Sequence, residues 1–217
     1  MSGAQPIAVV GLACRYPDAD DPDRLWETVI GRRRAFRLLP ESRLGAGYRG
    51  AEPDQTYLTH AGLLRGWEFD RHRFGVPGPL YRAVDQAHWL ALQTCAEALS
   101  DAGFPDAGGL DRDRAGVVLG NSLTGEFSRA AQLRLRWPFV RGAAAGALAG
   151  AGVPDHQAEH ALDLLRDLVR GPFPEPGDET LAGALSNTIA GRVCNHFDLH
   201  GTGYTVDGAC SSSLLAV

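Results

Sequence analysis

Apolar positions along this chain switch repeatedly between short continuous runs and helical spacing. Ile7 to Val10 reads as a short apolar strand running into Gly11. Asp21-Pro22 then caps and starts a helix that carries Leu25, Trp26, Val29 and Ile30 at helical spacing. Residues 37–81 are rich in Gly, Pro and aromatics and predict a long irregular region, with a short hairpin near Tyr57 to Leu64. Asp85 is the predicted N-cap of a helix through Asp101, with Trp89, Leu92, Ala96 and Leu99 facing inward and Gly103 ending it. Ala115 to Leu119 predicts a buried strand.

Phe127 to Val140 has helical character interrupted at Pro138, and the Ala-Gly stretch Gly142 to Gly152 fits a loosely packed helix and a flexible loop equally well. Asp155 to Arg170 predicts an amphipathic helix with a stripe of Ala161, Leu164, Leu165 and Leu168. A loop, Gly171 to Gly177, precedes a helix from Thr180 to Phe197 that carries Leu185, Ile189 and Val193. Tyr204, Thr205 and Val206 suit a final strand, broken by Asp207-Gly208, and Ala209 to Val217 reads as the opening of another helix. Strands separated by helices argue for parallel β-α-β units in a layered α/β architecture.

The chain has 217 residues, 44% of them hydrophobic, enough to bury a sizeable core in one large domain or a piece of one. Twenty-one basic against 26 acidic residues leave a net charge of −5, which implies no general attraction to nucleic acid or anionic membrane. Arg32, Arg33 and Arg34 fit a solvated helix end; an acidic partner docking there is the alternative. Cys14, Cys95, Cys194 and Cys210 are scattered without the density of a disulfide scaffold, which fits a reducing cytoplasm. The N-terminus lacks the basic and apolar regions of a signal peptide, and no run approaches the roughly 18 apolar residues of a membrane span.

The chemistry concentrates at the end of the chain, in HGTGYTVDGACSSSLL from His200 to Leu215. A strand there runs through a tight bend into Cys210, placed in the first turn of a helix, with Ser211, Ser212 and Ser213 supplying hydroxyls for orphan backbone donors. Unpaired N–H groups and the helix dipole favour thiolate over thiol at such a position. The sulfur would project from a sharp bend as the serine of a nucleophile elbow does, and small Gly208 and Ala209 leave room for a carbonyl. The same pattern also suits a buried, inert cysteine in a packed strand–helix junction. Cys194, His196, His200 and Cys210 cluster in sequence, but their spacing fits none of the common zinc patterns, and no metal is expected.

VDGACSSSLLAV resembles the nucleophile motif of the β-ketoacyl synthases, the condensing enzymes of fatty-acid and polyketide assembly. Two further stretches are similar to the same family. Pro6 to Pro40, PIAVVGLACRYPDADDPDRLWETVIGRRRAFRLLP, resembles its opening strand, turn and following helix; Ala190 to Cys210, AGRVCNHFDLHGTGYTVDGAC, resembles the run leading into the nucleophile. The resemblance implies a thiolase-like layered αβαβα fold, of which residues 1–217 look like the N-terminal half, truncated just after the nucleophile and inactive and poorly stable by itself. It implies that Cys210 takes an acyl chain from a carrier thioester and that a malonyl carrier is then condensed onto it by decarboxylation.

The partners implied are an acyl-carrier protein, malonyl and growing polyketide acyl thioesters, and a second copy of the chain in a homodimer, with Thr202 to Val206 near its axis. No cofactor is implied beyond the phosphopantetheine arm that the carrier brings. The family's two catalytic histidines fall in the missing half, and none of the seven histidines here matches their motifs. Ser211, Ser212 and Ser213 are expected to satisfy the helix start, and Asn187 and Arg192 to make internal hydrogen bonds.

Three departures from the common modular pattern resemble the iterative synthases of enediyne polyene precursors, whose relatives are the polyunsaturated fatty-acid synthases. Gly208 stands where modular enzymes carry Thr, His88 and Trp89 replace a polar pair in VDQAHWLALQTCAEAL, Val84 to Leu99, and Gly120 to Val140 is unlike the modular enzymes. The alternatives are a modular polyketide or polyunsaturated fatty-acid ketosynthase, a non-condensing structural relative, which would lack the cysteine, and a thiol hydrolase, which would need a Cys-His-Asn/Asp set.

Overall fold

A computed structural model describes residues 6–217. In chain order its elements are helix α1 (Pro22–Ile30), strands β1 (Phe36–Leu38) and β2 (His60–Gly62), helices α2 (Gly78–Ala83) and α3 (Gln86–Asp101), strand β3 (Val117–Gly120), helices α4 (Glu126–Leu135), α5 (Trp137–Gly150), α6 (Asp155–Arg170), α7 (Asp178–Ala182) and α8 (Asn187–Phe197), strand β4 (Gly203–Val206) and a last turn of helix, α9 (Ser212–Leu215). They form two units. The first comprises residues up to Phe69 together with Gln93–Gly109, and the second comprises Asp70–Leu92 and Leu110–Val217. Helix α3 contributes its beginning to the second unit and its end to the first.

In the first unit, α1 starts as its sequence predicts: the Asp21 carboxylate accepts the Arg24 N–H at 2.8 Å and Pro22 opens the first turn, where its missing N–H costs nothing. The chain around residue 12 is tied to the end of α3. Leu12 N–H donates to the Asp101 carboxylate at 2.8 Å and the Arg15 guanidinium donates to Glu97 at 2.5 Å. One expectation fails here. Ile7 to Val10 is not a strand; Ile7 is 90% exposed, and among the described residues no strand lies beside this run to take its backbone groups. The α1 helix itself forms as predicted, with Trp26, Val29 and Ile30 exposed along it. The expected local hairpin near Tyr57 to Leu64 is half right. His60–Gly62 is a strand, but it pairs antiparallel with the distant Phe36–Leu38, Arg37 opposite Ala61.

The second unit is built on a parallel pair, β3 beside β4, with Val117 opposite Gly203 and Gly120 opposite Val206. Helix α8 lies against both strands and buries Ile189, Ala190, Val193 and Phe197. Trp89 and Leu92 of α3 are fully buried as predicted, and Asp85 is its N-cap: one carboxylate oxygen accepts Ala87 N–H at 2.9 Å, the other Ser128 N–H at 2.7 Å. The predicted helix from Thr180 to Phe197 is two helices. Asp85 N–H takes the Gly183 carbonyl at 3.0 Å, removing the acceptor that would have continued the helix, and the chain restarts at Asn187.

Pro138 does not interrupt a helix but begins one. The break lies at Arg136, and Pro138 occupies the first turn of α5, which absorbs the whole Ala-Gly stretch to Gly150. Helix α6 has the predicted bounds but turns a different face inward. Leu162 is buried, with Ala158, Leu165 and Val169 half-buried along the same line, whereas Leu164 and Leu168 are exposed. The apolar residues of this helix lie on both sides of that line, so its period alone allows either face.

Gly146 sits mid-helix in α5, and a Cβ added there would touch nothing within 4 Å. Gly146→Ala is therefore expected to stabilise the protein by about 0.5–1 kcal/mol, through helix propensity and the lower entropy of the unfolded chain. A rise in the urea midpoint with an unchanged slope is the check.

A polar cluster centred on the buried His88 joins α3 to α8. The Arg192 Nε–H donates to His88 Nδ1 at 3.3 Å, its guanidinium lies 5.3 Å from the centre of the Trp89 ring, and its other end pairs with Glu179 at 3.4 Å. This is the internal role expected of Arg192. Burial first, then the Arg192 charge, push His88 down to about 4 against a smaller opposing pull from Asp85. Folding thus favours neutral His88, so its contribution is complete above pH 6.5 and is lost as pH falls from 6.5 towards 4. A loss of about 3 kcal/mol is expected across that window. Unfolding titrations at pH 7, 5.5 and 4.5 measure it, and His88→Gln should flatten the slope.

Candidate active site at the Asp207–Ser212 turn

The two parallel strands end side by side, and the chain beyond each end builds the site. Beyond β4 come Asp207, Gly208 and the short 3-10 turn Ala209–Ser211; beyond β3 come Asn121, Ser122, Leu123 and Thr124. The carboxyl ends of parallel strands are where open α/β folds place their ligands. Asn121 N–H donates to the Val206 carbonyl at 3.1 Å and carries the ladder one step past the strands.

Asp207 is the pin of the turn. The Ser122 hydroxyl and the Ala209 N–H, the latter at 3.0 Å, both donate to its carboxylate and hold it below the ordinary carboxylate value. Ser212 is the second pin: it is buried, accepts the Gly208 N–H at 3.0 Å and donates to the Ala209 carbonyl at 2.7 Å. Ser211 donates to the Gly208 carbonyl at 2.8 Å. Ser212 therefore takes one backbone N–H, that of Gly208, but the expected capping by the serines fails: Ser211 donates to a carbonyl instead, neither the 3-10 turn nor α9 has a side-chain cap, and Ser213 is exposed.

Held this way, Ala209 adopts φ +51°, a left-handed conformation that costs a non-glycine residue about 1–2 kcal/mol. Cys210 follows it directly and is exposed, whereas Cys14, Cys95 and Cys194 are half-buried. Within this chain Cys210 is therefore not enclosed in a packed junction. The predicted helix opening is shorter than its sequence suggests: Cys210 lies in the 3-10 turn and α9 spans four residues. The bend, rather than a long helix dipole, is what presents the sulfur.

Gly120 is the reason the two segments can meet. A Cβ on it would overlap the Ser212 carbonyl and come within 2.7 Å of Ser213 N, both backbone atoms that cannot swing aside. The facing loop is itself tied down: Asn121 donates to the Thr124 carbonyl at 3.1 Å, Ser186 donates to the Asn121 side chain at 2.5 Å, and Thr124 donates to the Ala184 carbonyl at 2.9 Å. Leu123 and Thr124 both have positive φ, 64° and 58°, and Leu123 is exposed. Sequence reasoning missed Asn121, Ser122 and Thr124. The available signal was a polar, Gly-bounded run directly after a predicted strand.

The other candidate residues go elsewhere. Asn187 is exposed at the start of α8, without the hydrogen bond expected of it among the described residues. Cys194 packs under Gly203, and His196 packs against Phe74 and Phe197 at 5.4 and 4.8 Å between ring centres. His200 lies between Asp113 at 2.7 Å and Asp198 at 3.1 Å, which raise it above the ordinary imidazole value. Among the described residues no three metal-ligating side chains converge, and no helix is long and apolar enough to cross a membrane.

Comparison with known proteins gives this geometry a family. The sequence profile described as "Beta-ketoacyl synthase, N-terminal domain" matches residues 4–217. The chain is 30% identical over 215 residues to a polyunsaturated fatty acid synthase of Thraustochytrium sp., covering 97% of this chain and 7% of that protein. It is also 30% identical over 219 residues to erythronolide synthase EryA3 of Saccharopolyspora erythraea, covering 98% of this chain and 5% of that one. Among solved structures it superimposes on the oxazolomycin ketosynthase domain OzmH KS7 of Streptomyces albus JA3453 with a TM-score of 0.64 and 25% identity, over 96% of this chain and 30% of that one. The module 6 ketosynthase of the bacillaene synthase of Bacillus subtilis 168 shares the fold at a TM-score of 0.59 and 22% identity, over 96% of this chain and 27% of that one.

The chain thus spans less than a tenth of the curated relatives' length and about a third of the solved ketosynthase chains. With its thiolase-like fold and a match that runs from residue 4 to residue 217, it belongs to the β-ketoacyl synthase family.

Proposed function

We propose that this chain supplies the nucleophile of a condensing acyltransferase, with Cys210 as the residue that carries the growing chain. The observation that supports it most is that Cys210 is exposed in a strained turn pinned by Asp207 and Ser212. In the first step Cys210 sulfur attacks the carbonyl of an acyl chain held as a thioester on an acyl-carrier protein. A new C–S bond forms, the carrier's thiol leaves with a proton, and one difficult reaction is split into two. In the second step a malonyl carrier loses CO₂, its enolate carbon attacks the Cys210 thioester, and Cys210 sulfur departs. The product is a β-ketoacyl chain two carbons longer.

In this reading the remainder of the enzyme supplies the groups that assist decarboxylation, and the phosphopantetheine arm arrives with the carrier as part of the substrate. The proposed setting is a homodimeric cytoplasmic synthase. The test is to incubate the enzyme containing this chain with an acyl-carrier thioester and map the acyl adduct by mass spectrometry. An adduct on the peptide holding Cys210 is expected; an adduct on another residue, or free acid released with no adduct, overturns the assignment and favours a hydrolase.

The finer reading is an iterative synthase of enediyne polyene precursors, supported by Gly208, by His88 and Trp89, and by the Gly120 to Val140 segment. A modular polyketide synthase or a polyunsaturated fatty-acid synthase is the second reading, favoured by equal 30% identity to one protein of each kind. A conjugated polyene among the products of the full synthase selects the first.

A further inference from the structure

The second unit contains a cavity of about 410 Å³ that shares no lining residue with the Asp207–Ser212 turn. Its size falls in the range of small-ligand sites. Phe127, Ala131 and Leu135 of α4 line it together with Leu181, Ala184 and Leu185, so its walls are mostly apolar. Two buried polar side chains interrupt them. Ser128 is 6% exposed, and its Oγ has no hydrogen-bond partner among the described residues. The Arg134 side chain is 9% exposed and its Nε is also unpartnered there.

The rest of the Arg134 guanidinium is accounted for. Nη1 donates to the carbonyls of Arg170 and Phe173 at 2.7 and 2.9 Å, and Nη2 donates to the exposed Glu175 at 3.1 Å. The Nε–H and a second Nη2–H remain, and this edge of a planar guanidinium matches a carboxylate bidentately. Arg134 also lines a polar depression of about 330 Å³ with Arg166, Arg170, Asp167 and Glu175. There Asp163 and Asp167 pair with Arg166, but no ion pair is formed by Arg170 among the described residues. The guanidinium thus stands between an apolar cavity and a charged opening in which Arg170 is the cation without an ion pair among the described residues, an arrangement that suits an anionic amphiphile.

We infer that this cavity binds an aliphatic carboxylate, its head on Arg134 and its chain along α4, with an oxygen substituent on the chain meeting Ser128. Six residues of helix separate the two polar points by about 9 Å, so Ser128 serves the chain rather than the head. An acyl chain held as a thioester has no free carboxylate, and the free carboxylate of a malonyl carrier ends a unit with no aliphatic chain to lie along α4, so the ligand is a released acid rather than either substrate proposed for Cys210. An unpaired buried donor is costly, which is why a ligand that satisfies both is selected over a plain hydrocarbon.

The test is calorimetric titration of the intact protein containing this chain, carried out with Cys210→Ala so that acyl transfer plays no part. Decanoate is expected to bind saturably and at least tenfold more tightly than decanol, and 10-hydroxydecanoate a few-fold more tightly than decanoate. Ser128→Ala should erase the preference for the hydroxyl, Arg134→Lys should bring decanoate to the level of decanol, and Ala131→Phe, which fills the cavity, should remove all binding. Equal affinity for decanoate and decanol, or decanoate binding that survives Ala131→Phe, overturns the inference. If Arg134→Lys fails to fold because the Arg170 and Phe173 carbonyls lose their donor, the decanol comparison and Ala131→Phe still decide.

Discussion

Cys210→Ala is expected to abolish formation of the acyl adduct, reducing it by at least about 10³-fold, because removal of a nucleophile eliminates the covalent route rather than slowing it. The fold should be unaffected. Cys210 is exposed, and both pins of its turn, Asp207 and Ser212, act through the backbone of Gly208 and Ala209 and never through the sulfur. A change in stability within about 0.5 kcal/mol is expected of such a surface substitution. The measurement is intact-protein mass after incubation with an acyl-carrier thioester, alongside a thermal melt. Wild-type labelling in the variant, at Cys14, Cys95 or Cys194, would assign the chemistry to another thiol.

Gly120→Val is expected to disable the site without touching it chemically. The new side chain would occupy the space of the Ser212 carbonyl, and because the obstacle is backbone, the turn must move as a body. Displacing Ser212 loosens its bonds to Gly208 and Ala209, which hold Ala209 in its left-handed conformation. A shift of about 1 Å in a reacting group costs on the order of 100-fold in rate, and overpacking costs a further ~1–3 kcal/mol of stability. Acylation rates and urea midpoints for Gly120→Val beside Gly146→Ala separate the two kinds of glycine. One lies where backbones touch, the other where nothing is near. Full acylation by Gly120→Val would show that the turn tolerates displacement and that its pins are not what presents Cys210.

Much of the helical part was legible because its signals are local. The caps at Asp21 and Asp85, the limits of α6 and the end of α3 each depend on residues within one turn of the boundary. Errors arose where a partner distant in sequence intervened. The Asp85 N–H captured the Gly183 carbonyl and cut one predicted helix into two. Neighbouring packing selected the Ala158–Leu162–Leu165–Val169 face of α6 over another apolar one. Ile7 to Val10 has the composition of a strand, but a strand is completed by a neighbour's hydrogen bonds, and none is offered among the described residues.

Residue order was sufficient to mark Cys210 as the candidate nucleophile and to place the bend before it, since both depend on neighbours from Asp207 to Cys210, but it misjudged the serines, which leave the turn and α9 without a side-chain cap. Family membership could also be read from three motifs in the right order. The support for that bend could not. Ser122 reaches Asp207 across 85 positions of chain, and Gly120 makes room for Ser212 from the far end of the other strand, because parallel pairing of β3 with β4 brings two strand ends together. A parallel register leaves no imprint at short range, so nothing in the residues around Cys210 could announce which loop would brace it.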